Sequence, residues 1–118
     1  IVFISSRASM GMPTRSAYAA TKAGIHGLAR TWALELAENN ITVNVIAPGP
    51  VLTQNFWDLV PKDGELQQEI SDNIPVGRIG TAEDIAHAVE FFLDNKSSFV
   101  TGQILYVCGG TSLKGLGT

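Results

Sequence analysis

The sequence predicts an α/β fold built on a parallel sheet. Three observations carry this. Segments of strand character alternate with helical segments along the chain. The first strand segment, residues 1–4, is apolar throughout, which suits a strand covered on both faces. A long helical segment separates it from the next strand, giving a βαβ unit with parallel strands and a right-handed crossover. The chain has 118 residues, enough for one domain with a modest core, and 1–118 is read as part of a single domain.

The elements follow in order. Ile1, Val2 and Ile4 are β-branched and Phe3 is aromatic, as strands favour. Residues 5–15 form a loop carrying Gly11 and Pro13. Residues 16–38 are rich in Ala, Leu and Glu, and Ile25, Leu28, Ala29, Trp32, Ala33 and Leu36 recur at helical spacing. Asn39 and Asn40 end that helix. Residues 41–46 read as the second strand, stopped by Ala47-Pro48-Gly49-Pro50. Residues 51–79 are irregular, with a short helix expected over 67–73. Thr81 is the expected N-cap of a further helix whose first turn carries Glu83 and Asp84, and whose buried face is Ile85, Ala88, Val89, Phe92 and Leu93. Residues 99–103 form a turn and 104–107 the third strand, closed by Gly109-Gly110. The tail from Thr111 is Gly-rich and expected to be loose.

Composition excludes several classes. The apolar fraction of 45% and charged fraction of 16% are those of a globular protein. Net charge is −3 and the 8 Lys and Arg are scattered, which argues against a nucleic-acid surface. A single cysteine, Cys108, excludes an internal disulfide framework and fits a reducing, cytoplasmic setting. No apolar run approaches the roughly 20 residues needed to span a bilayer, so no membrane partner is expected, and no signal peptide is visible. Because residues 1–4 already read as a buried strand, the chain is expected to be the C-terminal part of a longer protein.

In open α/β sheets ligands bind beyond the carboxyl ends of the strands. Ser5-Ser6, Pro48-Gly49 and Cys108-Gly109-Gly110 all follow strands and should line one rim. Tyr18 and Lys22 stand four apart on the long helix, on one face of it. A free phenol titrates near 10, so a phenol that serves as a base at neutral pH needs a neighbouring cation to stabilise its phenolate. Lys22 offers one a helical turn away. A serine hydroxyl at the strand end could bond the same substrate oxygen, and the three together suit proton transfer to or from an alcohol or carbonyl oxygen. Alone, a Tyr-x-x-x-Lys spacing occurs by chance on many helices.

Four ordered segments add to it: Ile4-Ser5-Ser6 with Tyr18-Ala-Ala-Thr-Lys22-Ala-Gly, then Ile41-Thr-Val-Asn-Val-Ile-Ala-Pro-Gly49, then Ile74-Pro-Val-Gly-Arg-Ile-Gly-Thr-Ala-Glu-Asp-Ile85, then Val100-Thr-Gly-Gln103 with Gly109-Gly110. Together they resemble the second half of the short-chain dehydrogenase/reductase family. The resemblance implies a Rossmann-like doubly wound parallel sheet, of which this chain is the C-terminal half. It implies an NAD- or NADP-dependent oxidoreductase acting on a small carbonyl or alcohol substrate, commonly a homodimer or homotetramer packed through the long helix. Tyr18 matches the family's acid/base, and Lys22 the lysine that supports it and bonds the nicotinamide ribose. Pro48, Gly49, Val51 and Thr53 match the segment that holds the nicotinamide end. No metal is implied.

The serine departs from the pattern. Ser6 lies 12 residues before Tyr18, one fewer than the family's usual separation, and Ser5 lies 13. Strand register favours Ser6 as the substrate-orienting residue, because a loop can lose a residue more easily than a strand can change face; Ser5 remains the competitor. Cys108 stands where the family often has Asp and reads as a small buried residue. His26 and His87 lack metal-ligand spacing and read as packing or surface residues. Trp32 belongs to the helix stripe, as core or subunit interface. Phe56 and Trp57 fall where the family covers its substrate, as a lid or as plain packing. No Gly-x-x-x-Gly-x-Gly phosphate loop occurs, and no acidic or basic residue at the end of the family's second strand can be read to separate NAD from NADP, so this segment alone is expected neither to bind coenzyme well nor to turn over. The competing reading is a non-catalytic member of the same scaffold. An enoyl reductase is disfavoured, since that branch usually spaces its Tyr and Lys more widely.

Overall fold

The computed structural model describes residues 1–59 and 64–114. The elements are β1 (Val2–Ile4), α1 (Ser16–Leu36), β2 (Asn44–Pro48), α2 (Gln54–Leu59), α3 (Gly64–Asp72), α4 (Ala82–Leu93) and β3 (Ile104–Val107). The three strands form one parallel sheet in the order β1-β2-β3. The expected α/β fold is therefore the observed one.

Strand β2 is central and buried on both faces, as its unbroken Val45-Ile46-Ala47 run requires. Successive side chains point to opposite faces. Val43 and Val45 pack on Ala29 and Ala33 of α1, with Phe3, Ile25, Leu36 and Ile104 around them. Ile46 packs on Ala88 and Phe92 of α4, with Val2, Ile85, Val89, Val100 and Val107. Helices thus cover both faces of the sheet, which is the doubly wound arrangement.

Four boundaries differ from the sequence reading. The long helix ends at Leu36, and a 3-10 turn over Ala37–Asn39 follows it, closed by Asn40 in the left-handed region at φ 59°. Strand β2 starts at Asn44 rather than 41 and runs on to Pro48. Val43 instead serves the turn before β3: its nitrogen donates to Thr101 Oγ1 (3.0 Å) and its carbonyl accepts from Gly102 (2.7 Å). A proline is tolerated at the strand end because no donor is needed there. The Ile46 carbonyl faces β1 and the Gly49 nitrogen faces β3, so alternation turns the Pro48 nitrogen toward β1, past its end at Ile4. Third, the irregular stretch 51–79 contains two helices, α2 and α3, the latter longer than the 67–73 expected. Fourth, the tail is tied down as far as Lys114. Thr111 is buried and donates its hydroxyl to the Cys108 carbonyl (2.9 Å), and Lys114 Nζ donates to the carbonyl and side-chain oxygens of Asn73 (3.1 Å each). Residues 115–118, part of the expected loose tail, lie outside the described residues.

The separate sequence signatures grip one another. Asn44 is buried; its Nδ2 donates to the Val100 carbonyl (3.0 Å) and its Oδ1 accepts from Gln103 (3.1 Å), fixing the turn that launches β3. Gly109, at φ 61°, leaves no room for a Cβ, which would fall 2.7 Å from Ile74 and 2.8 Å from Val76; the Val76 nitrogen also donates to the Gly109 carbonyl (3.1 Å). Thr81 caps α4 as expected, in a reciprocal capping box with Asp84. Arg78 adds a two-pronged ion pair to Asp84 (2.7 and 3.0 Å). That guanidinium, with the Thr81 amide and hydroxyl, holds the Asp84 carboxyl well below the usual range. Replacing Thr81 by Ala removes the cap while leaving the ion pair, and should lower unfolding stability by about 1 kcal/mol in denaturant melts.

Candidate active site

The rim at the carboxyl ends of the strands opens into a cavity of about 670 Å³. Ser5 and Ser6 border it from the end of β1, Pro48, Gly49 and Val51 from the end of β2, Tyr18 and Lys22 from α1, and Thr53 from the start of α2. The serines, Tyr18, Lys22 and the Pro48-to-Thr53 candidates therefore line one space, whereas Trp57, Gly109 and Gly110 do not line it. Cys108, also at this rim, does not line it; it packs behind Gly49, where a Cβ would come within 2.8 Å of the Cys108 Cα and Cβ.

The two serines take different jobs. Ser5 is buried and turned toward α1: its Oγ donates to the Lys22 carbonyl (2.9 Å) and lies 2.7 Å from His26 Nε2. A hydroxyl has one proton to give. With that proton on Lys22, Ser5 accepts from the ring, so His26 carries its proton on Nε2. Ser6 is half-buried and accepts the Ala8 amide (3.1 Å), capping a 3-10 turn over Arg7–Met10. Lys22 Nζ answers the Ser5 bond in the opposite sense by donating to the Ile4 carbonyl (3.1 Å). Two crossed hydrogen bonds thus fasten the Lys22 turn of α1 to the end of β1. Lys22 Nζ stands 5.7 Å from the centre of the Tyr18 ring, and the Arg15 guanidinium 4.6 Å from it on the same ring.

The segment after β2 is held by α4. Leu52 donates to the Gly80 carbonyl (2.9 Å) and Gly80 to the Pro50 carbonyl (3.0 Å), making a parallel bridge centred on Val51. In that geometry the N–H and C=O of Val51 itself point away from Gly80. Neither meets a protein partner among the described residues. Two unspent backbone groups beside the cavity fit a carboxamide, which has one donor and one acceptor to match; a nicotinamide ring carries that group. Thr53 Oγ1 accepts the Phe56 amide (3.3 Å) and so also caps α2. Phe56 lines the cavity, and Trp57 meets it edge-on (5.1 Å between ring centres).

Sequence reasoning missed several residues here. Arg7, Met12 and Arg15 line the cavity, although the loop was read only as a connection. Arg15 lies three residues before Tyr18, a helical neighbour spacing that could have flagged it. Ile85 borders the cavity as well as the core. His26, read as packing or surface, is a hydrogen-bond partner of the rim serine. His87 is exposed, 4.0 Å from Glu90. Trp32 packs against Phe3 (5.5 Å). Cys108 Sγ lies 3.3 Å from Ser112 Oγ; burial pushes the thiol up, but hydrogen bonds to the sulfur, those of Ser112 foremost, outweigh that and leave it lowered. Among the described residues no group of His, Cys, Asp and Glu could hold a metal ion, and no helix is long and apolar enough to cross a membrane.

Comparison with known proteins agrees with this fold. A family model described as Enoyl-(Acyl carrier protein) reductase matches residues 1–112. The chain belongs to the short-chain dehydrogenase/reductase family. It is 45% identical over 113 residues to (2S)-[(R)-hydroxy(phenyl)methyl]succinyl-CoA dehydrogenase subunit BbsD of Thauera aromatica, covering 96% of this chain and 44% of that one. It is 46% identical over 93 residues to 3-oxoacyl-[acyl-carrier-protein] reductase FabG of Aggregatibacter actinomycetemcomitans, covering 79% and 36%. Among solved structures, 7α-hydroxysteroid dehydrogenase complexed with NADH and 7-oxo glycochenodeoxycholic acid superposes with a TM-score of 0.85 at 38% identity, over 93% of this chain and 43% of that one. The chain thus spans less than half the length of these relatives.

Burial, and secondarily the Arg30 charge, push the His26 pKa below its ordinary 6.5. The neutral ring is therefore favoured in the folded state. Its contribution to stability is complete above 6.5 and is lost as pH falls through the lowered folded value. Stability measured by denaturant at pH 7.5 and 5.5 should fall with pH in the native protein, and fall less in His26→Gln.

Proposed function

We propose that the protein carrying this chain is an NAD- or NADP-dependent oxidoreductase acting on a small carbonyl or alcohol substrate. The observation that carries the reading is the convergence of Ser6, Tyr18, Lys22, Pro48, Gly49, Val51 and Thr53 on one cavity, with the Val51 backbone groups beside it meeting no partner among the described residues. The named activities of the relatives, dehydrogenases and an oxoacyl reductase, support it. So does the NADH bound to the steroid dehydrogenase. The matching family model is described as an enoyl reductase; the three-residue interval between Tyr18 and Lys22 favours carbonyl–alcohol chemistry instead. We infer also that the chain is the C-terminal part of one Rossmann-like domain, with the adenine half of the coenzyme held by other residues of the protein.

In this reading the coenzyme, when bound, exchanges a hydride with the substrate carbon. Tyr18 gives the proton to the carbonyl oxygen in reduction and takes it from the alcohol in oxidation. Lys22 places a positive charge beside the phenol, which stabilises the phenolate left behind. Ser6, whose hydroxyl borders the cavity, orients the substrate oxygen. Ser5 is spent on Lys22 and His26 and acts on the position of the helix. Pro48 and Gly49 form the floor, and the Val51 backbone with the Thr53 hydroxyl receives the carboxamide end. Leu28 and Leu34 of α1 are exposed apolar side chains, which supports a homodimer or homotetramer packed through that helix. The free thiol of Cys108 supports a cytoplasmic setting.

Tyr18→Phe removes the transferable proton and keeps the ring. Turnover, followed by NAD(P)H absorbance in the full-length protein, should fall by about 100-fold or more while coenzyme binding persists. Unchanged turnover would sink the enzymatic role of Tyr18; ligand binding without any turnover in the native protein would favour the non-catalytic scaffold. Ser6→Ala should likewise cost turnover more than Ser5→Ala, and the reverse order would transfer the orienting role to Ser5.

A further inference from the structure

We propose that the substrate carries a carboxylate and that Arg7 and Arg15 hold it. This rests on the reading of the cavity as the substrate site. The chain as a whole is acidic, with 11 Asp and Glu against 8 Lys and Arg. Its cavity is the opposite: Arg7, Arg15 and Lys22 line it, and no Asp or Glu does so among the described residues. Lys22 is engaged with the Ile4 carbonyl. The two arginines are not so engaged. Among the described residues the ion-paired arginine is Arg78, and neither Arg7 nor Arg15 meets a carboxylate.

Position adds to charge. Arg7 follows Ser6 directly, on the 3-10 turn that Ser6 caps. Arg15 stands at the start of α1 with its guanidinium over the Tyr18 ring. The two cations therefore border the cavity from two different elements. Both are half-buried. A cation drawn partly out of water and left unpaired loses hydration without return, and an anionic ligand offsets that loss. A guanidinium presents a planar fork that matches a carboxylate in two parallel hydrogen bonds. Met12, Phe56 and Ile85 supply apolar wall in the same cavity. The substrate class that fits is an oxo- or hydroxy-acid with an apolar body, its carboxylate on the arginines and its reacting oxygen at Tyr18. Arg7 also borders a neighbouring cavity of about 230 Å³ that includes Glu69, without forming an ion pair to it.

The test uses a carboxylate and its neutral isostere, hexanoate and hexanamide, titrated calorimetrically into the full-length protein, with NADH titrated in parallel. Hexanoate should bind about tenfold tighter or more, and Arg7→Gln and Arg15→Gln should each erase most of that preference while leaving hexanamide and NADH affinity in place. Equal binding of the two probes by the native protein overturns the proposal. So does a preference that survives both substitutions, or a loss confined to NADH, which would assign the guanidiniums to coenzyme phosphates. If a variant fails to fold, a salt titration of the native protein decides. Hexanoate affinity that falls with salt while hexanamide affinity holds supports the arginine site, and salt-independent hexanoate binding overturns it. Absence of NADH binding by the native protein would sink the coenzyme reading separately, since the ratio of the two probes is read without it.

Discussion

Burial of β2 on both faces is the constraint on which the rest of the structure depends. A strand with parallel neighbours on each side and helices above and below has no solvent edge, so all its polar groups must be met within the sheet. The residues obey this closely. Val45 and Ile46 turn to opposite helices, and buried Asn44 meets the turn before β3 with both ends of its amide. Ala29 and Ala33 are small enough for α1 to lie close against the valines. Because β2 is fixed this firmly, its exit at Pro48-Gly49 is fixed as well, and that exit is the floor of the cavity.

The site is assembled by cross-ties rather than by one element. Ser5 and Lys22 exchange hydrogen bonds between β1 and α1, with His26 completing the serine. Gly80 pairs with Pro50 and Leu52, so that the N-terminal end of α4 holds the stretch around Val51. Gly109 receives Ile74 and Val76 in the space a side chain would fill. Each tie joins segments distant in sequence, and the Gly80 tie pairs Pro50 and Leu52 while the Val51 backbone between them meets no partner among the described residues.

Much of this was legible in the sequence. The alternation of elements, the helix under Tyr18 and Lys22, the Thr81 cap and the gathering of strand ends at one rim follow from periodicity, capping chemistry and the parallel topology. Boundaries were less legible. Residues 41–43 look like strand because they are β-branched, yet Val43 spends its backbone on Thr101 and Gly102. Thr111 looks like the start of a loose tail because the glycines around it mask a hydroxyl that is bonded and buried.

The sequence by itself determined the class of fold, through the alternation of strand and helix along the chain, and the placing of Tyr18 and Lys22 on one helix face, through their spacing of four. That Ser5 bonds Lys22 and His26 while Ser6 caps the turn after it, that the Val51 backbone meets no partner among the described residues, and that Arg7 and Arg15 share a cavity lined by no acid among those residues were decided by the tertiary structure alone. Those properties depend on what a side chain or backbone group meets across the fold, and no local spacing encodes a partner that lies on another element.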